Sequence, residues 1–236
     1  MKSAQEIRRN ILDEYYDKVY SKYLFRRSCQ SIGISYFEKA LESVWDNHQV
    51  NDVLELGGGS GEHLVYFKDQ VLKQYISLDS RPRLSDEFIN KIESRLIDKV
   101  VFVVGDAESL TFSEGSFDRV FSTCLLHHVN DPLAVLLEAR RVTRVGGEIA
   151  FLLPTDPGVL NQIVKRLISY PRLRKLSQVR PELVYAITHP NHVGACLELI
   201  KLVFEQDNLR FVYKPFVFHS INLNLLVVAH ATKSDS

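Results

Sequence analysis

Five short β-rich runs alternate with helical segments between residues 52 and 154, and that alternation constrains the fold more than any other feature of the chain. The runs are DVLEL (52–56), QYISLD (74–79), KVVFVVGD (99–106), FDRVFSTC (117–124) and GEIAFLLP (147–154). Helical patterns are predicted between them, at about 61–73, 85–96 and 132–143. Strand and helix in alternation imply right-handed crossover units and a parallel sheet covered on both faces. The nearly unbroken apolar character of VVFVV and IAFLL predicts strands buried on both sides.

Two helices precede this unit. In residues 11–24 apolar or aromatic pairs recur every four positions (Ile11/Leu12, Tyr15/Tyr16, Val19/Tyr20, Tyr23/Leu24), which predicts an amphipathic helix with a tyrosine-rich face. A second pattern, about 31–45, places Ile34, Phe37, Leu41 and Trp45 on one side. After the fifth run the alternation lapses. Residues 155–191 hold four prolines and the basic cluster Lys165, Arg166, Arg172, Arg174, Lys175 and Arg180, and read as a partly helical insertion. A helix at about 193–205 follows, then RFVYKPFVFH (210–219) and NLNLLVVAHAT (222–232), two strands expected to pair antiparallel through a tight connection near Asn222.

Charge and cysteine content narrow the function classes. Twenty-nine basic and twenty-nine acidic residues balance, so no global field draws the chain to nucleic acid. Cys29, Cys124 and Cys196 are widely spaced and odd in number, which excludes a complete disulfide framework and a CxxC knuckle. The first residues, MKSAQEIRRNILDEYYDK, lack an apolar signal core, and the apolar runs are strand length, well below the roughly 20 residues of a membrane span. A soluble cytoplasmic protein is expected.

The run VLELGGGSGEH (53–63) asks what its four glycines hold. A phosphate-binding P-loop would need the lysine and hydroxyl of G-x-x-x-x-G-K-[ST], and neither follows. A dinucleotide fingerprint would place its third glycine where Glu62 stands, and a carboxylate there repels a pyrophosphate.

The spacing Glu55-x-Gly57-x-Gly59-x-Gly61 instead resembles the first motif of class I S-adenosylmethionine-dependent methyltransferases, particularly the methyltransferase type 11 group. VVGDAESLTF resembles that family's GDAxxLPF segment, and FDRVFSTCLLHHVNDP its FDxVxSxxxLHHxxDP signature; RRVTRVGGEIAFLLP matches the helix, glycine turn and fifth strand. The resemblance covers roughly residues 50–155. It implies an α/β, Rossmann-like, doubly wound, seven-stranded and mostly parallel sheet with an antiparallel last strand. The organisation would be an N-terminal helical lid (1–48), a donor-binding core (49–154), an inserted cap binding the acceptor (155–191) and a C-terminal completion of the sheet (192–236).

The implied cofactor is S-adenosyl-L-methionine, with S-adenosyl-L-homocysteine as product. By resemblance Glu55 and the turn Gly57, Gly58, Gly59 and Gly61 meet the methionine part. Asp79 with Ser80 takes the ribose, a role carboxylates at that strand end have in other doubly wound sites. Asp106, Ala107 and Glu108 meet the adenine, Ser122 and Thr123 line the methionine arm, and Tyr20 of the lid reaches the donor. His127 and His128 are the candidate catalytic residues, either as structural packing or as a base. Tyr16, Arg166, His189, His192 and His219 are candidates for the acceptor. HPNH (189–192) is too irregular for a metal motif, and no metal is expected.

The expected acceptor is a small molecule or a glycan such as a surface-polysaccharide precursor, with a quinone or lipid as the alternative. A noncatalytic subunit that binds donor or product is the reading from another class. No nucleic-acid partner is expected. Leu160, Ile163, Val164, Leu167 and Ile168 beside the basic cluster allow peripheral association with the inner face of a membrane.

Overall fold

The computed structural model describes residues 29–46, 49–59, 61–67, 70–82, 89–176 and 180–235, together with residues 6, 10, 11 and 14. The tyrosine-rich helix expected at 11–24, with Tyr16 and Tyr20, lies almost wholly outside the described residues. Helix α1 (Cys29–Glu42) leads into β1 (Gln49–Leu56), β2 (Gln70–Asp79), a short helix α2 (Ser94–Ile97), β3 (Val100–Val104) and β4 (Phe117–Thr123). Then come α3 (Pro132–Val142), β5 (Thr143–Pro154), the cap helices α4 (Val159–Val164), α5 (Tyr170–Leu176) and α6 (Pro181–Thr188), α7 (Val193–Val203), β6 (Asn208–Lys214) and β7 (Leu226–Thr232).

The seven strands form one sheet in the order β3-β2-β1-β4-β5-β7-β6. β1 pairs in parallel with β2 and β4, β2 with β3, and β4 with β5, while β7 runs antiparallel to both β5 and β6. The order reverses between β1 and β4, and loops leaving the carboxyl ends of those two strands flank the crevice where such sheets take ligands. One face of the sheet packs Leu54, Leu56, Val120 and Phe151 against α3 and α7 through Val135, Leu136, Ala139 and Ile200. The other packs Val53, Tyr75, Phe121 and Leu152 against Leu41 and Trp45 at the end of α1. Helix α3 starts where its sequence says it should: Asp131 accepts from the Leu133 and Ala134 amides at 3.0 and 3.1 Å, and Pro132 occupies the first turn.

Four local expectations change. The helix predicted at 61–73 is a single 3-10 turn, His63–Val65, because β2 starts early at Gln70 and pairs Val71 with Val50. Of the helix predicted at 85–96, the described residues contain helical Ile89 and, after a non-helical break at 90–93, Ser94–Ile97. β3 is the outer strand of the sheet rather than a doubly buried one, and Val101 and Val104 are 48% and 72% exposed. Finally, β6 stops at Lys214, since Pro215 has no amide to continue the ladder. Residues 215–225 form a longer connection in place of the tight turn. Buried Asn224 organises it, accepting from the Phe216 amide at 2.8 Å and donating to the Phe218 and Ser220 carbonyls.

A buried ion cluster fixes α1 against the far end of the sheet. Fully buried Arg119 lies 4.0 Å over the Trp45 ring and donates to Glu148 at 3.0 Å, while the Asp46 amide and His230 reach the other Glu148 oxygen at 2.8 and 3.1 Å. Burial alone would raise the Glu148 pKa, but the bonds from His230, the Asp46 amide and Arg119 outweigh it and hold the carboxyl at about 2. A carboxyl depressed in the folded state adds stability above its unfolded pKa and loses it as pH falls through the folded value. Glu148 is therefore expected to supply on the order of 3 kcal/mol that is present above about pH 4.5 and disappears toward pH 2. In acid-unfolding curves Glu148→Gln should remove most of this loss. An unchanged acid limb would contradict the assignment.

Candidate functional site

The glycine turn is folded onto the end of β2. Gly57 and Gly58 donate to the Leu78 carbonyl at 2.7 and 3.2 Å, and Gly57, Gly59 and Gly61 hold φ of +77°, +52° and +81°. That backbone region favours glycine because a Cβ would strike the neighbouring peptide. Gly58 is required for a different reason. A Cβ there would sit 1.9 Å from Ser77 Oγ and 2.9 Å from Glu55 Oε2. Glu55 thus lies beneath the turn, 1% exposed, accepting from Tyr75 Oη and Ser77 Oγ, each at 3.0 Å. Burial pushes its pKa up, against the lowering effects of His63 and the two hydroxyls. It supports the floor of the turn and is not an open carboxylate at its rim.

His63, one residue past Glu62, ties the same turn to α1. Its Nδ1 and Nε2 face Glu38 and Glu42 at 2.5 and 3.1 Å. Burial disfavours the imidazolium, yet the two carboxylates win and raise its pKa well above the ordinary value. Neither Glu38 nor Glu42 was legible as part of the site, because nothing in sequence links residues so far apart.

The other acidic positions stand at the strand ends. Asp79 closes β2, and its carboxylate accepts from the Gly59 amide at 3.1 Å and the Arg81 amide at 2.6 Å, with exposed Ser80 between. After β3, exposed Asp106 accepts from the Glu108 amide at 2.9 Å in a local turn, and Ala107 is buried. Glu108 is engaged elsewhere, accepting from the Asn130 and Asp131 amides at 2.7 and 3.1 Å, so it ties this loop to the start of α3.

β4 ends in Ser122 and Thr123, and Cys124 follows it. Ser122 Oγ is buried without a hydrogen-bond partner among the described residues. Cys124 holds φ of 56°, and burial raises its thiol pKa, so it is not poised as a nucleophile. The following loop brings His127 and His128 against His189 of the cap, with ring centroids 4.0, 4.4 and 4.7 Å apart. Asn191 clamps that loop by donating to the Leu126 and Val129 carbonyls at 3.0 and 2.8 Å. Desolvation lowers the pKa of all three imidazoles, with mutual repulsion or Lys165 adding at His127 and His189; His189 falls to about 2. At neutral pH the cluster is uncharged.

A cavity of about 200 Å³ opens beside it, lined among others by His127, Asp156, Lys165, Tyr185, His189 and His192. Lys165 is buried, paired with Asp156 at 2.5 Å and lying 3.9 Å over the Tyr185 ring, so it is no part of a solvated face. A second, outer space of about 480 Å³ shares Gln162 and Tyr170 with the first and adds Arg166, Arg174 and Glu182. His219 is not brought to either space; it stacks on Tyr213 at 5.0 Å in the connection after Pro215. Lys165, Asp156, Tyr185 and Asn191 are cavity or positioning residues that the sequence reading did not single out for that role.

The crowding beneath Gly58 can be measured. Gly58→Ala should destabilise the protein by about 1–3 kcal/mol, the cost of overpacking a filled site. Adding Ser77→Ala should return part of the loss in thermal unfolding, since Glu55 Oε2 still lies 2.9 Å from the added Cβ and loses one donor. Equal losses in the single and double variants would show that the contact with Ser77 is not the limit.

The residues around the crevice suit S-adenosylmethionine better than a nucleoside polyphosphate. The turn at Gly58 has no room for a side chain, carboxylates stand at the ends of β2 and β3, and Ser122 offers a buried hydroxyl that lacks a partner. Comparison with known proteins agrees. Residues 54–151 match the family described as a methyltransferase domain, Methyltransf_11. An uncharacterized methyltransferase, YcgJ, of Bacillus subtilis (strain 168) is 32% identical over 133 residues, 54% of this chain and 50% of that protein. A ubiquinone/menaquinone biosynthesis C-methyltransferase, UbiE, of Idiomarina loihiensis is 25% identical over 75% of this chain and 73% of its own length. The chain thus spans half the length of the first of these relatives. Among solved structures, a SAM-dependent methyltransferase of Thermotoga maritima, described as a possible histamine N-methyltransferase, superposes with a TM-score of 0.60 at 16% identity, covering 95% of this chain and 99% of that one. Residues 54–151 are therefore similar to that family's methyltransferase domain, and the seven-stranded sheet has the Rossmann-like fold of the solved S-adenosylmethionine-dependent methyltransferase.

Proposed function

We propose that the protein transfers a methyl group from S-adenosylmethionine to a small molecule or a glycan precursor whose reacting ring enters the cavity beneath the cap. The observation that carries this reading is the cavity itself. It lies against His127, on the loop that leaves β4 beside the glycine turn, and at about 200 Å³ it is smaller than the usual 300–1,000 Å³ of a drug-sized site. That volume suits one sugar-sized or quinone-sized ring. In the outer space Arg166 stands with Arg174, which is already paired with Glu182. That supports an anionic group on the rest of the acceptor, such as the phosphate of a glycan precursor, taken chiefly by Arg166. In this reading residues 155–191 form the acceptor-binding cap and residues 1–48 a lid.

On the donor side, Asp79 would hold the ribose, Asp106 and Ala107 the adenine, and Gly57, Gly59, Gly61, Ser122 and Thr123 the methionine part. The donor supplies an electrophilic methyl on a sulfonium sulfur. What the chain contributes is placement. Asn191 fixes the loop bearing His127 and His128, the glycine turn lets backbone come close, and the cap restricts how an acceptor can approach. Such alignment can lower a barrier by roughly 7–11 kcal/mol. Glu55 acts from below, holding the turn through Ser77 and Tyr75.

A quinone acceptor is the second reading, favoured by the similarity to the Idiomarina C-methyltransferase. Ile163, Leu167 and Ile168 are 48%, 73% and 38% exposed near the basic side chains, which supports peripheral contact with a membrane surface for a lipid-linked acceptor of either kind. No helix among the described residues is long and apolar enough to cross a membrane.

Methyl transfer from labelled donor should be assayed against glycan-precursor, quinone, lipid and RNA fractions. Incorporation into the glycan-precursor fraction is expected. With that acceptor, Arg166→Ala/Arg174→Ala should raise KM about tenfold or more and leave kcat nearly unchanged, the signature of lost ground-state binding. Labelling of quinone alone would replace the first reading by the second. Donor binding without transfer to any fraction would favour a noncatalytic subunit.

A further inference from the structure

Thr188, the last residue of α6, fixes two of the three clustered imidazoles. Its hydroxyl donates to the Val184 carbonyl at 2.9 Å, which leaves the oxygen to accept from His189 Nδ1 at 2.7 Å. Its carbonyl accepts from His128 Nδ1 at 2.6 Å. Both rings therefore carry their proton on Nδ1, and Nε2 of each keeps a free lone pair. His127 is 6% exposed, and its Nδ1 is buried with no partner among the described residues. One ring nitrogen from each of the three lies within 4.8 Å of the other two.

We propose that His127, His128 and His189 form a three-imidazole site for a divalent transition metal, zinc in the first instance, supported from outside by Thr188. An all-nitrogen ligand set suits zinc and its neighbours and disfavours magnesium and calcium, which take oxygen. Metal-bound histidines characteristically donate their second ring N–H to a carbonyl or similar acceptor, and Thr188 provides that acceptor twice. Three protein ligands leave further positions open, as in zinc sites that take a substrate. His127 and His189 line the cavity, so those positions face the space assigned to the acceptor.

Two features oppose the metal and set its terms. His127 and His189 now stack at 22° and 4.4 Å, and nitrogens bound at about 2.0–2.1 Å to one tetrahedral ion sit only roughly 3.4 Å apart, so the rings must turn inward. Lys165 is the cation facing the cluster, but Asp156 pairs with it at 2.5 Å and offsets its charge. The other candidate cluster, Asp46, Glu148 and His230, is already engaged by Arg119 and carries no such proposal. Metal binding does not depend on the methyl-transfer reading. Its use does rest on that reading: a metal held by these imidazoles would make an acceptor hydroxyl in the cavity more acidic, easing loss of its proton to water as the oxygen takes the methyl group. His128 is then a ligand and not a base.

Chelator-treated protein titrated with Zn²⁺, and separately with Co²⁺ as a coloured stand-in, tests the site. One equivalent should bind, and X-ray absorption of the zinc form should show imidazole scattering from three ligands. His189→Gln should abolish stoichiometric binding. Thr188→Val should weaken it 10–100-fold, and Thr188→Ser should restore it. S-adenosylhomocysteine binding, measured on the same samples, reports folding and the donor site independently. Retained S-adenosylhomocysteine binding with no equivalent of metal, or metal bound with fewer than three imidazoles, would overturn the proposal and leave the methyltransferase reading intact. Metal bound without S-adenosylhomocysteine binding would instead remove that reading.

Discussion

Residue 58 has to be without a side chain because the Ser77 hydroxyl, which donates to buried Glu55, occupies the space a Cβ would fill. Glu55 leaves β1 pointing into the protein, where Tyr75 and Ser77 of the neighbouring strand donate to it, and Ser77 Oγ rises to the level a Cβ on residue 58 would fill. The turn can therefore lie flat on the strand ends, and its amides are directed by β2: two to the Leu78 carbonyl and one to Asp79. The entry of α1 through His63 and the position of the β4 loop against Gly57 both follow from how this turn sits.

The acidity of the region is divided between layers. Glu38, Glu42 and Glu55 lie beneath or beside the turn and are held by His63, Tyr75 and Ser77, whereas Asp79 and Asp106 stand at the strand ends with backbone amides on them. Buried charges of this kind need partners to be tolerated, and removing one partner commonly costs about 3–5 kcal/mol. The surface carboxylates remain able to accept hydroxyl or amine hydrogens. A polyphosphate brought to the same crevice would meet like charge, which is why the turn is read as a seat for a cationic nucleoside.

The alternation of strand-like and helical runs was enough to specify the parallel sheet, and the apolar run IAFLL lies buried along its whole length, as a strand covered on both faces must. VVFVV misled for the same reason: its composition resembles an inner strand, but its place at the edge depends on the order of pairing, which composition does not encode. Asp79 and Asp106 were legible since strand ends are legible. Glu55 was legible as a residue of the motif but not as one sealed under it, because a strand residue's face depends on the pleat and on neighbours such as Ser77. The roles of Lys165, Tyr185 and Asn191 come from the way the cap folds back over β4 and β5, which no local pattern in residues 155–191 foretells.

The central claim is that strand-end carboxylates and a glycine turn without room for a side chain select a sulfonium nucleoside over phosphate-bearing ones. Calorimetric titration of the protein with S-adenosylmethionine, S-adenosylhomocysteine, ATP and NADH tests it most directly. The account predicts one-to-one binding of the first two, lost or much weakened in Asp79→Ala, and no saturable heat from ATP or NADH. Binding of ATP or NADH as tight as that of S-adenosylmethionine, or unchanged donor affinity in Asp79→Ala, would contradict it.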